Sequence, residues 1–105
     1  MTTVRSKKIK HGYKVLEKDF GPLTFGRLLK SHRLAEEISQ AKMAKKLKVS
    51  RQKLNDFERG RRFPSLRTAA DMAEKLGEHS ATWVSVVIEE MLRREDLDFK
   101  VTLAG

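Results

Sequence analysis

The chain has 105 residues, with 23 Lys and Arg against 14 Asp and Glu, a formal charge of +9 and no cysteine. One domain is expected at this length, and 39% apolar residues provide for one small core. The lack of cysteine excludes disulfides and thiolate metal sites and suits a cytoplasmic protein.

No apolar run exceeds Val86-Val87-Ile88, so no membrane-spanning helix is expected. The basic N-terminus lacks the apolar segment of a secretory signal. The excess charge points to an anionic partner, with nucleic acid first.

In chain order, residues 1–23 read as a basic arm. The sequence predicts disorder over 1–11 and a short strand at Tyr13-Lys14-Val15-Leu16. Gly21-Pro22 breaks the chain. Thr24 is the expected N-cap of a first helix, with Phe25, Leu28 and Leu29 at helical spacing and an end near Arg33. Ser39 opens a second helix with Met43, Ala44 and Leu47 inside. Ser50 opens a third with Leu54 and Phe57 inside, and Gly60 stops it. Pro64-Ser65 starts a fourth, where Leu66, Ala69, Ala70, Ala73 and Leu76 form the stripe and Gly77 marks the end. Ser80 is the expected cap of a fifth helix running to about Arg94. Residues 24–94 are therefore expected to form the folded domain. Residues 95–105 form a tail in which Phe99, Val101 and Leu103 alternate with polar residues, the strand period.

The charge is unevenly distributed. Residues 42–62 carry nine basic and two acidic side chains, a net of +7, whereas residues 78–105 carry three basic and six acidic, a net of −3. The first 23 residues, at +4, show no periodicity and read as a solvated run.

The middle block coincides with two short capped helices, from Ser39-Gln40 to Leu47 and from Ser50-Arg51 to Gly60, separated by about three residues. That spacing lets them cross steeply, so that the second can enter a major groove while the first braces the backbone. Ala44 is small where the helices come closest, and Val49 and Leu54 fill the wedge between them. With Arg33, Phe57-Glu58-Arg59-Gly60 and Pro64-Ser65 at fixed offsets, residues 24–76 resemble the helix-turn-helix proteins of phage Cro and repressors, the XRE family. The resemblance implies an all-α, five-helix, lambda-repressor-like domain. Two positions depart from its pattern. Lys48 stands in the turn where the family usually has Gly, at a cost of about 1 kcal/mol if the backbone is left-handed. Glu37 stands where a helix-ending Gly is common.

By that resemblance Gln40 touches the DNA backbone, in keeping with the attraction of a helix N-terminus for phosphate. Ser50 caps the recognition helix. Arg51 and Gln52 lie at its start, where Arg can pair with guanine and Gln with adenine. Asn55 is a third candidate reader. Asp56 matches a family reading position but ranks lower, because a carboxylate accepts only from cytosine and repels phosphate. Lys53, Arg59, Arg61 and Arg62 read as phosphate clamps. Arg33 and Glu58 match a family pair that forms a partly buried salt bridge. The bland alternative, solvated charges on an exposed helix, would be preferred without the motif.

His11, His32 and His79 are never at ligand spacing and read as surface or packing residues, so no metal or cofactor is expected. No nucleophile motif or Gly-rich phosphate loop supports an enzyme.

The fifth helix places Trp83, Val84, Val87, Ile88, Met91 and Leu92 over more than one face. Either a longer core uses them all, or part of that surface meets a partner. By resemblance the partner would be a second copy, setting two recognition helices about 34 Å apart. The tail is expected to pair with Tyr13-Val15 of the same chain or a neighbour, since an unpaired terminal strand invites aggregation. The reading is a homodimeric transcriptional regulator that binds double-stranded DNA and represses by occluding a promoter. The rival, implied by the same resemblance, is an antitoxin that binds a small RelE-like toxin and represses its own operon.

Overall fold

The computed structural model of the protein describes residues 21–97 and 99–102. The expected strand at Tyr13–Leu16 and the expected disorder over 1–11 fall outside them. The described residues form five helices: α1 (Phe25–Ala35), α2 (Gln40–Leu47), α3 (Arg51–Glu58), α4 (Leu66–Lys75) and α5 (Ser80–Arg94). None is long and apolar enough to cross a membrane.

Four helices begin where a hydroxyl can replace a missing backbone partner. Thr24, Ser39, Ser50 and Ser65 accept from the N–H groups of Arg27, Lys42, Lys53 and Thr68 at 3.0–3.2 Å. Each cap contributes about 1 kcal/mol. α5 starts differently. Its first helical bond runs from the Trp83 N–H to the His79 carbonyl, which makes His79 the N-cap and Ser80 the first helical residue. The expected Ser80 cap is thus displaced by one position. The His79 side chain makes no cap bond, and its Nδ1 lies 2.7 Å from the Thr82 hydroxyl.

Among the described residues three turns reverse without glycine, the one after α5 at Asp96 with φ 59°. Glu37 has φ 54° after α1, and Lys48, the C-cap of α2, sits at φ 59°, ψ 41°. The Lys48 N–H reaches the Ala44 and Lys45 carbonyls, and the Val49 N–H bonds the Ala44 carbonyl at 3.0 Å, closing the helix end.

The core lies between all five helices. Phe25 meets Phe57 edge-on at 5.6 Å and Trp83 at 5.9 Å, joining α1, α3 and α5 through one ring. Met43, Ala44, Leu47 and Leu54 close the α2–α3 wedge, with half-buried Val49 packed against them. On α4 the buried residues are Ala69, Met72 and Ala73, followed by Leu76. Leu66, expected in that stripe, is exposed, and Met72, which the expected stripe left out, is buried. α1 presses directly on the end of α3. A Cβ on Gly26 would lie 2.5 Å from the Phe57 carbonyl oxygen and 2.8 Å from that of Glu58. His32 packs edge-on to Trp83 at 6.4 Å and places Nδ1 2.6 Å from a Glu78 carboxylate oxygen.

α5 also gathers the chain's flanks. Its Glu90 accepts from the Phe25 N–H at 3.0 Å, and its Arg93 donates to the Leu23 carbonyl at 2.9 Å. Its Glu89 accepts from the Val101 N–H at 3.0 Å. The tail therefore meets a side chain of α5, and residues 99–102 belong to no strand. Phe99 is exposed and Val101 half-buried, so the two do not share one face as the alternation predicted; Leu103 and the expected partner Tyr13–Val15 lie outside the described residues.

Candidate nucleic-acid interface

α2, the left-handed Lys48 and α3 form one unit with its charged side outward. Arg51 and Gln52 are exposed on the first turn of α3, beyond the Ser50 cap, and Lys53 is half-buried behind them. Arg59, Arg61 and Arg62 are exposed where α3 ends. At the start of α2, nothing among the described residues accepts from the N–H groups of Gln40 and Ala41. These donors, with the positive end of the helix dipole, suit an anion.

One carboxylate anchors the unit. Glu58 is 3% exposed in its side chain and Arg33 14%. Arg33 Nε donates to Glu58 Oε2 at 2.9 Å and a terminal nitrogen donates to Oε1 at 3.0 Å, a two-point pair. The hydrogen bond to Glu58 raises the Arg33 pKa; burial opposes the rise, and the charge of Glu58 adds to it. The structure thus brings together the two residues expected to pair. Gln40 enters the same cluster, donating from Nε2 to Glu58 Oε1 at 3.1 Å and to Asn55 Oδ1 at 3.2 Å. Sequence reasoning gave Gln40 only a backbone contact. In the structure its side chain also ties α2 to α3.

The second cluster lies on the outer side of α3. Gln52 Nε2 donates to Asp56 Oδ1 at 3.0 Å, and Arg61 approaches the same oxygen at 3.7 Å. The Asp56 carbonyl accepts from the N–H groups of Arg61 at 2.9 Å and Arg62 at 3.2 Å, which sets the loop after α3. Asn55 and Asp56 thus divide differently from expectation. Asn55 is held toward α2 by Gln40, whereas Asp56 stands beside Gln52. The i, i+4 spacing of Gln52 and Asp56 was the signal available for this pair.

The expected partner face on α5 needs correction. Trp83 and Val87 are 1% and 0% exposed, because Phe25 and the α4 stripe cover them, so neither is open to a partner. Val84, Ile88 and Leu92 are half-buried and Met91 is exposed. Leu97 adds exposed apolar surface, as does Phe99, which the strand expectation had assigned to pairing.

Residues 24–82 match the family described as helix-turn-helix domain, from the N-cap of α1 to the first turn of α5. No curated protein and no solved structure matches the chain. With α2, the left-handed turn and α3 inside a match that takes in more than half of its residues, the chain belongs to the helix-turn-helix domain family of DNA-binding proteins.

Proposed function

We propose that the protein is a homodimeric repressor of the Cro and phage-repressor type, which reads an operator with α3 in the major groove and blocks a promoter. The observation that carries this is the placement of exposed Arg51 and Gln52 on the first turn of α3, held against α2 and α1 by the Arg33–Glu58–Gln40 cluster. A recognition helix needs base-reading side chains at its N-terminal end and a fixed approach angle. Arg51 and Gln52 would read base edges, with the first-turn N–H groups of α2 on a phosphate. Lys53, Arg59, Arg61 and Arg62 would clamp further phosphates. A second copy would meet the apolar end built from Val84, Ile88, Met91 and Leu92.

Mobility shifts on upstream DNA at several salt concentrations test this. Arg61→Ala is expected to weaken all sequences alike and to lower the salt slope by about 1. Gln52→Ala is expected to cost about 1–3 kcal/mol at one base pair and to spare non-specific binding. Identical behaviour of the two variants on every sequence would refute the division into readers and clamps.

One observation favours the antitoxin reading over a plain repressor. Exposed Leu97 and Phe99 lie beyond the α5 residues assigned to a second copy and leave apolar surface for a different protein. Co-purification of a basic partner of about 10 kDa from the native host, lost when Phe99 is changed to Asp, would favour that reading; recovery as a self-associated dimer alone would favour the repressor.

A further inference from the structure

The second cluster on α3 carries more than a surface pairing. An ionised carboxylate has acceptors only. The Gln52 atom that lies 3.0 Å from Asp56 Oδ1 is therefore the NH2 group, and the side-chain amide cannot turn over without setting its carbonyl oxygen against a carboxylate. One of its two N–H bonds is committed to Asp56. The amide has one N–H and its carbonyl oxygen left to offer.

Asp56 is itself held. Its side chain is 23% exposed, with the Arg61 guanidinium 3.7 Å from the oxygen that Gln52 uses. Its own carbonyl accepts from the N–H groups of Arg61 and Arg62. Those two bonds use the main chain and survive a change of side chain.

From this geometry we infer that Asp56 is a positioning residue, which fixes the amide of Gln52 so that its site on DNA selects adenine against guanine. The inference rests on the reading of α3 as the base-reading helix. Adenine shows one acceptor and one donor in the major groove, N7 and N6–H2, and the remaining N–H and carbonyl oxygen of Gln52 complement both. Guanine shows two acceptors, N7 and O6. An unrestrained glutamine can meet them with both N–H bonds, but the restrained one would set its oxygen against one of them. The Asp56 carboxylate also disfavours guanine O6 by charge. Asp56 acts through Gln52 and need not touch a base.

Selection of bound sequences from random double-stranded DNA tests this with the full chain. The proteins compared are the wild type, Gln52→Ala, Asp56→Ala, Asp56→Asn and Asp56→Glu, each with its thermal melt recorded. The wild type is expected to enrich adenine at the position that Gln52→Ala relaxes. Asp56→Ala should leave the rest of the preferred sequence intact and reduce the adenine-over-guanine preference at that one position roughly tenfold. Asp56→Asn should relax the same position, because an asparagine amide accepts either orientation of its neighbour. Asp56→Glu, which keeps the carboxylate, should restore the preference. A purely structural role would lower the melting temperature and the overall affinity without moving that preference, and this result would overturn the inference. Preference changes at different positions in Gln52→Ala and Asp56→Ala would overturn it as well. Both outcomes leave sequence-specific binding standing. A wild type that enriches no sequence would overturn the base-reading function and this inference together.

Discussion

Glu58 receives side chains from two other helices on one almost fully buried carboxylate, Arg33 from α1 and Gln40 from α2. A buried charge is tolerated only while its partners satisfy it. Arg33→Ala would leave Glu58 buried and without its cation, and is expected to cost about 3–5 kcal/mol, read as a fall in the urea midpoint. The pH dependence follows from the direction of the Arg33 shift. A cation whose pKa rises on folding stabilises fully below its unfolded titration range and loses that contribution only as pH climbs through the higher folded value. The Arg33 contribution should therefore stay constant across neutral pH and fade only under strongly alkaline conditions. Arg33 and Glu58 were legible as a pair because their types and offsets match a motif. The inward turn of Gln40 was not, because a side-chain amide serves a phosphate or a neighbouring carboxylate equally well, and only tertiary placement decides. The Gln52–Asp56 pair lay within reach of spacing arguments, because residues four apart share one face of a helix.

Helix starts were legible because a cap is a local bond: Thr24, Ser39, Ser50 and Ser65 each serve an N–H three residues ahead. Serine at Ser80 looked equally good, yet the chain turns one residue earlier and uses the His79 carbonyl. The tail, over its described residues, departs from expectation for a different reason. Alternation is a property of one segment, whereas a strand needs a second, and the described part of the tail bonds to Glu89. The turn between α2 and α3 shows how a local rule can be broken and still hold its shape. Lys48 is left-handed because the closure onto Ala44 and Lys45 requires it, with no glycine to relieve the strain. Lys48→Gly is expected to stabilise by up to about 1 kcal/mol, with part of the relief offset by a freer unfolded chain. Thermal denaturation reads the change, and a lower melting temperature would mean that the lysine side chain contributes more than its backbone strain costs.

For the whole molecule, the +9 charge is unevenly divided along the chain. The α2–α3 face carries most of it, whereas α5 and the tail are net acidic and present exposed Met91, Leu97 and Phe99. The apolar excess of α5 was legible from composition, but its division was not. Trp83 and Val87 belong to the core because α1 and α4 reach them, a fact set by packing. Phe99 is 62% exposed, so Phe99→Asp should leave the melting temperature of the monomer unchanged. If the tail takes part in self-association, sedimentation should show the dimer weakened. Operator affinity should then fall with it, since two linked half-sites bind with an avidity that one lacks.

The contact at Gly26 reaches further than its place on α1 suggests. The Phe57 and Glu58 carbonyls rest where a side chain would begin, so the last turn of α3 can lie no closer to α1 and, with a single methyl added, must lie farther away. α3 has eight residues and is about 12 Å long, so a shift at one end becomes a tilt at the other, where Arg51 and Gln52 stand. In a two-fold assembly both helices tilt together, and the distance between the half-sites they fit changes by both displacements. The spacing of an operator would then be set partly by a hydrogen atom on the first turn of α1, at the opposite end of α3 from Arg51 and Gln52.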